Sequence, residues 1–449
     1  MTEDIASIFK AYDIRGLSPS QIDEPLARRI GAAFVDYLGA RKIAVGHDMR
    51  ETSVGLNRAF IEGATSRGAS VIDIGMVTTD TLYFAVASKG LEGGAQITAS
   101  HNPKQYNGVK LVRAGAVALS GDAGIKEVRD GALGPEAAPY SGARGSVTHE
   151  DVSAAYDAHC LSFIDVAKLR PLRIVLDAGN GMGGPTAARL FARLPFERTD
   201  LFFEPDGDFP NHPADPLIEE NRRDIVAKVK EKGADLGIAW DGDADRCFFI
   251  DDGGEFIPGD FVTALLGEMF AKREKNATIV YDVRASRAVA DAVRAAGGTP
   301  VMHRVGHAFM KVKMRELNAV YGGEVSAHYY FRDNWFADNG MIPALLLLEL
   351  VSSSGRKLSE LLAPFRAKYF ISGEINSKVA DVPAALKRIE EKYKDGRVTK
   401  LDGVSVDYGS WHFNVRGSNT EPLLRLNLEA MSKDEMERRR DEVLALIRS

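Results

Sequence analysis

Between Gln96 and Leu111 the chain reads QITASHNPKQYNGVKL, which sets the Ser100 hydroxyl beside the His101 imidazole at the end of a short apolar run. Pro103 forbids an ordinary continuation of that run. Ser100 is thereby delivered to a loop end, where an exposed group on a rigid scaffold suits a nucleophile. On residue types alone, a capped turn in which Ser100 bonds its own backbone competes with that reading. A second loop reads WDGDADR, Trp240 to Arg246, after the apolar strand Asp235 to Ala239. Asp241, Asp243 and Asp245 at alternate positions, with Gly242 between, let one loop wrap a hard cation through oxygens and leave coordination positions open. A calcium loop of the EF type is excluded, because the twelfth position counted from Asp241 is Asp252, too short for the bidentate Glu role. The run Cys247 to Ile250 that follows reads as a buried strand and argues against a merely solvated acidic turn. Arg246 adds a fixed positive charge.

Two further loops carry comparable groups. In GGEVSAH, Glu324 and Ser326 point the same way if the segment is extended, an acceptor pair of the kind that grips adjacent sugar hydroxyls, although a lone Glu and Ser in a loop are usually just solvated. In RGSNTEP, Arg416, Ser418, Asn419 and Thr420 combine a guanidinium, hydroxyls and glycine-freed amides into either a phosphate cradle or a polar hairpin turn. Tyr12 and Arg15 in FKAYDIRG, and His303 to His307 in HRVGH, put more cationic or imidazole groups near strand ends.

Wide spacing of these loops demands several scaffolds. A chain of 449 residues exceeds what one core serves, so about three or four domains are expected. Three apolar runs end in Asp and lead through a polar turn into a helical pattern: Lys42 to Asp48, Leu172 to Asp177 and Ala277 to Asp282. After the first come a helix over Ser53 to Ser66 and the strand ASVIDIG; after the third come Ser286 to Ala296 and the strand TPVMH. Three such strand-helix-strand units predict three related α/β domains. From about Ile371 the pattern changes to a helix around Ala384 to Tyr393, alternating strands through Val404 to Leu428, and a charged helix from Lys433, a small antiparallel α+β domain. Boundaries are expected to give domains 1–143, 144–253, 254–369 and 370–449.

Composition narrows the function class. Hydrophobic content of 45% and 27% charged residues fit a soluble globular protein, and a net charge of −6 disfavours a non-specific nucleic-acid binder while leaving local basic pockets open. Cys160 and Cys247 cannot build a disulfide framework or a thiolate metal site, and no signal peptide is apparent, so a cytoplasmic location is expected. Met341 to Val351 is about half a membrane span and reads as a buried helix.

TASHNP, DGDADR, GEVSAH and RGSNTEP, in this order and roughly one domain apart, resemble the α-D-phosphohexomutase family, most of all its bacterial phosphomannomutase/phosphoglucomutase members. The likeness runs from FKAYDIRG to the tail. It implies four domains around a central cleft, three α/β with mixed sheets and a last one like the TATA-binding protein. It implies that Ser100 is a phosphoserine, that Asp241, Asp243 and Asp245 bind one Mg²⁺ with an oxygen of the phosphate on Ser100, and that Glu324 and Ser326 read sugar hydroxyls. Arg416, Ser418, Asn419 and Thr420 match the binder of the non-reacting phosphate. Arg15, His101, Lys110 and His328 match positions that assist proton transfer or stabilise charge, with Lys110 the expected base if Arg15 depresses its pKa. Tyr12, Arg246 and His303 fall on active-site positions. Glucose 1,6-bisphosphate is implied as intermediate and activator, hexose phosphates as ligands, and a monomer as the expected state.

Two departures bear on the sugar. Arg284 stands in YDVRAS where many relatives carry lysine, a fork in place of a point charge. Ala327 stands where glycine is common, which puts the loop's backbone freedom in question. Phosphoglucosamine mutase is the alternative within the fold. A Mg²⁺-dependent sugar phosphatase lacks an obvious water-activating base here, and a non-catalytic sugar-phosphate sensor would need neither Ser100 nor the three aspartates.

Overall fold

The computed structural model describes residues 5–121, 123–135, 138, 140–417 and 423–449. Two compact bodies make up the chain: Met1–Phe256 with His328–Lys357, and Ile257–Ala327 with Leu358–Ser449.

The first body holds two mixed sheets. In one, Lys42–His47 runs parallel to Ser70–Met76 and Gly93–Ile97, Ser70–Met76 runs parallel to Val147–His149, and the antiparallel Tyr106–Arg113 links Gly93–Ile97 to Ile14–Leu17. Helices Glu24–Leu38 and Ser53–Ser66 pack on it over a core that includes Phe34, Phe60, Ile43 and Val45. In the other, Arg173–Asp177 lies between Glu197–Leu201 and Leu236–Trp240, both parallel to it, and Cys247–Asp251 returns antiparallel. Met341–Ser354 is the expected buried helix, with Leu345 to Leu348 fully covered.

In the second body Thr278–Asp282 pairs in parallel with Thr299–His303 and Tyr321–Gly323. The tail forms an antiparallel sheet of Arg397–Thr399, Val404–Asp407, Trp411–Gly417 and Leu423–Ala430, with Phe370–Ile371 and Ile375–Lys378 also on the last of these. Helices Val382–Lys392 and Lys433–Arg448 bury Ile389, Val443 and Ile447 into its core of Trp411, Phe413 and Leu426.

The three aspartates that end the repeated strands share one job. Asp48, Asp177 and Asp282 each accept, through Oδ1, the backbone N–H two residues on: Arg50 at 3.0 Å, Gly179 at 2.9 Å and Arg284 at 2.8 Å. Each carboxylate thus shapes the turn between strand and helix. Among the described residues no helix is long and apolar enough to cross a membrane. Cys160 and Cys247 are free and buried.

Candidate active site

Strand Gly93–Ile97 delivers Ser100 to the loop that follows, with backbone φ of 51°. Left-handed backbone costs on the order of 1 kcal/mol for a residue with a Cβ, and neighbours hold it in place. Ser100 N donates to Thr98 Oγ1 at 2.9 Å, and Ser100 O accepts from Arg50 Nη2 at 2.8 Å. The hydroxyl does not turn to its own backbone: Ser100 Oγ donates to Asp241 Oδ2 at 2.7 Å and lies 3.3 Å from His101 Nδ1. Glycine at position 242 permits this approach, since a Cβ there would lie 2.4 Å from Ser100 O.

Asp241, Asp243 and Asp245 are all buried, and one oxygen of each lies within 4.8 Å of the others. Lys110 Nζ donates to Asp243 Oδ2 at 2.6 Å and also to Asp245. Arg246 Nε donates to Asp241 Oδ2 at 2.9 Å. Asp243 Oδ1 is buried and accepts no hydrogen bond among the described residues. Burial pushes Asp241 up to about 7; Arg246 opposes the rise, while Asp245 and Asp243 add to it. Three crowded carboxylates, one oxygen of them orphaned, form a donor set that a hard divalent cation satisfies.

Around this ring stand other expected residues. Arg15 Nη1 donates to Asn102 Oδ1 at 2.6 Å, which ties Arg15 to the serine loop. Arg246 Nη2 donates to His101 Nδ1. Burial first, then Arg246, Arg15 and Lys110, lower the His101 pKa well below the usual imidazole range and keep the ring neutral. His328 Nε2 lies 3.6 Å from Asp245 Oδ1. Tyr12 is half-buried just ahead of the strand that carries Arg15.

Lys110 departs from expectation. Burial lowers its pKa, but Asp243, Asp245 and Asp241 outweigh burial and raise it above the ordinary lysine value; Arg15 acts in the expected direction and is the last of the five influences. That direction is opposite to the one a general base at Lys110 calls for.

In the second body Glu324 is buried and its Oε1 accepts from Gly306 N at 2.8 Å. The loop is a turn rather than the extended segment expected: Ala327 N donates to Glu324 O at 3.0 Å, and Ala327 takes a φ of 66°. A glycine would take this backbone without strain, whereas Ala327 adopts it with a Cβ. Ser326 is half-buried in the same turn. Arg284 Nη2 and Nε donate to the two oxygens of Asp282 at 2.9 and 3.0 Å, and its Nη2 lies 3.9 Å from Glu324. His303 ends its strand half-buried, its pKa lowered by burial and then by Lys313 and Arg304. Arg416 is buried at the end of Trp411–Gly417. Ser418, Asn419 and Thr420 lie outside the described residues.

Sequence reasoning missed Arg50 and Thr79. Thr79 holds Asp243 through its hydroxyl at 2.6 Å and its N–H at 3.1 Å. Arg50 is 2% exposed and donates to Ser100 O, Asn102 O, Pro103 O and Tyr106 O at 2.6 to 3.0 Å, with Asp48 on its remaining edge at 3.2 Å. One planar fork thus fixes the serine loop, a geometry an ammonium cannot copy. The only signal in the sequence was the polar turn after Asp48. Arg50→Lys is expected to lower kcat by about a hundredfold while KM moves less than threefold, read from steady-state kinetics.

Comparison with known proteins accords with this geometry. Four family models match in order: the phosphoglucomutase/phosphomannomutase alpha/beta/alpha domains I, II and III at residues 6–132, 154–254 and 258–369, and the C-terminal domain at 374–446. The chain is 46% identical over 443 residues to a protein of Xanthomonas campestris described as phosphohexose mutases, covering 98% of this chain and 99% of that one. It is 44% identical over 430 residues to the phosphomannomutase of Escherichia coli K12, covering 94% of each. Among solved structures, a phosphoglucomutase/phosphomannomutase family protein from Burkholderia thailandensis superposes with a TM-score of 0.89 at 34% identity, covering 98% of this chain and 97% of that one. The chain belongs to the α-D-phosphohexomutase family, four-domain α/β enzymes that act as intramolecular phosphotransferases.

Proposed function

We propose that the chain interconverts hexose 1-phosphates and hexose 6-phosphates, glucose and mannose phosphates both serving, by shuttling the phosphoryl group through Ser100. The observation that carries this reading is Ser100 Oγ at 2.7 Å from Asp241, within a ring of buried carboxylates to which Lys110 and Arg246 are bound. The P–Oγ bond of phosphoserine breaks as a new P–O bond forms to the free hydroxyl of a bound hexose monophosphate, and the proton that hydroxyl gives up ends on Ser100 Oγ, which leaves as the serine hydroxyl. The resulting hexose 1,6-bisphosphate presents its other phosphate, which returns to Ser100.

Charge on the equatorial oxygens of the phosphoryl group in transit is met by preorganised cations. Arg246 and Lys110 fill that role, and Arg15 holds the loop that bears the serine. Asp241, Asp243 and Asp245 would hold one Mg²⁺ together with an oxygen of the phosphate on Ser100. When bound, the ion supplies Lewis-acid neutralisation of the transferring group. Glu324 and Ser326 grip sugar hydroxyls, with Tyr12, Arg284 and His303 as further contacts. Arg416, Ser418, Asn419 and Thr420 hold the phosphate that is not reacting, at C1 or at C6.

Catalytic efficiency on glucose 1-phosphate, mannose 1-phosphate and glucosamine 1-phosphate, with Mg²⁺ and a trace of glucose 1,6-bisphosphate, tests the reading. Glucose and mannose phosphates are expected to lead. Dominance of glucosamine 1-phosphate would make the chain a phosphoglucosamine mutase, and release of inorganic phosphate would make it a phosphatase.

A further inference from the structure

Glu374, just ahead of strand Ile375–Lys378, faces three guanidiniums. Its Oε1 accepts from Arg425 Nη1 at 3.1 Å, its Oε2 accepts from Arg284 Nη1 at 3.1 Å, and Arg416 Nη2 lies 3.8 Å from Oε2. Arg284 has Asp282 on its other edge and Glu324 nearby. Arg416 and Arg425 form an ion pair with no carboxylate but Glu374 among the described residues, and the Nε of each is buried without a hydrogen-bond partner there. Two guanidiniums therefore share one negative charge and keep unused donors, a surplus that a dianion with several acceptor oxygens matches better than one carboxylate does.

We infer that Glu374 is a specificity-determining residue: it holds the anion position of the Arg416–Arg425 pair as an internal carboxylate, and only a dianionic phosphate ester displaces it. The inference rests on the reading of Arg416 as part of the phosphate cradle and adds Arg425 to it. A monoanion would exchange one negative charge for another and gain little, whereas a dianion gains the second guanidinium. Phosphate monoesters lose the dianion below a second pKa of about 6. Glu374 stays charged across that range, because burial pushes its pKa up but Arg284, Arg425 and Arg416 outweigh burial and hold it below the usual carboxylate value. Asp402, whose charge also acts on Arg416, is bound to Val305 N at 3.0 Å.

The test is competitive inhibition of the phosphorylated enzyme by inorganic phosphate, against glucose 1-phosphate, at pH 5.5 and 7.5. In the wild type the inhibition constant should weaken by about tenfold at the lower pH, where the inhibitor is a monoanion. Glu374→Gln should bind phosphate more tightly at both values and shrink the pH ratio to about threefold or less; Glu374→Ala should shift in the same sense. Weaker inhibition in these variants, or an unchanged pH ratio, would overturn the assignment. Arg425→Ala and Arg416→Ala separate the two readings. If neither alters phosphate inhibition, the cradle itself is misassigned; if they abolish it while Glu374→Gln does not tighten it, the cradle stands and the role of Glu374 falls.

Discussion

Ser100→Ala is expected to lose mutase activity by at least about a thousandfold, because it removes the hydroxyl that the serine loop presents at 2.7 Å from Asp241. Ser100 Oγ is the hydroxyl that touches Asp241, and the loop carrying it is fixed by Thr98 and Arg50 through the backbone, not through the side chain. The variant should therefore fold with near wild-type stability and bind hexose phosphates as before. Intact mass should show a phosphorylated fraction in the wild type and none in the variant. A variant that keeps its phosphorylated mass would assign the phosphate to another residue, and one that keeps activity would remove the covalent step altogether.

Asp243→Asn carries the second large effect. Asp243 Oδ2 is bound by Lys110 and Thr79, whereas its Oδ1 is buried with no protein donor among the described residues. With Asp241 and Asp245 beside it, the carboxylate is one of three like charges out of water, an arrangement that favours a cation and penalises its absence. Mg²⁺ should raise the wild-type thermal midpoint, by the equivalent of about 2.7 kcal/mol at a hundred times its dissociation constant. The asparagine variant should lose that shift and lose about a thousandfold in activity. A Mg²⁺-dependent shift that survives the substitution would show that the ion binds elsewhere.

Local pattern carried the scaffold well. The helix read over Ser53 to Ser66 and the strand over Thr299 to His303 lie where the apolar periodicity put them, and the last helix does begin at Lys433. The reason is physical: each repeated unit is a self-contained strand, Asp-braced turn and helix, so its signals are local. What sequence spacing could not express were partnerships across the chain. Arg50 clamps a loop fifty or more residues away, and Lys110, whose pKa burial would lower, is raised by carboxylates 133 and 135 residues on. Seen in sequence, Lys110 has Arg15 as its companion in the same motif set; in space, Asp243 and Asp245 dominate it. The turn at Glu324 was missed because alanine as a residue type does not announce left-handed backbone, although the resemblance had put backbone freedom at Ala327 in question. His328 to Lys357 likewise rejoins the first body although the residues before it belong to the second.

The central claim is that Ser100 begins and ends each turnover phosphorylated. Enzyme carrying labelled phosphate on Ser100, mixed with unlabelled glucose 1-phosphate and Mg²⁺ and quenched within a turnover, tests it most directly. Label should pass to glucose 1,6-bisphosphate and then to glucose 6-phosphate, while intact mass shows the protein still phosphorylated. Label that stays on the protein while product forms, or that appears as inorganic phosphate in step with product, would contradict the account.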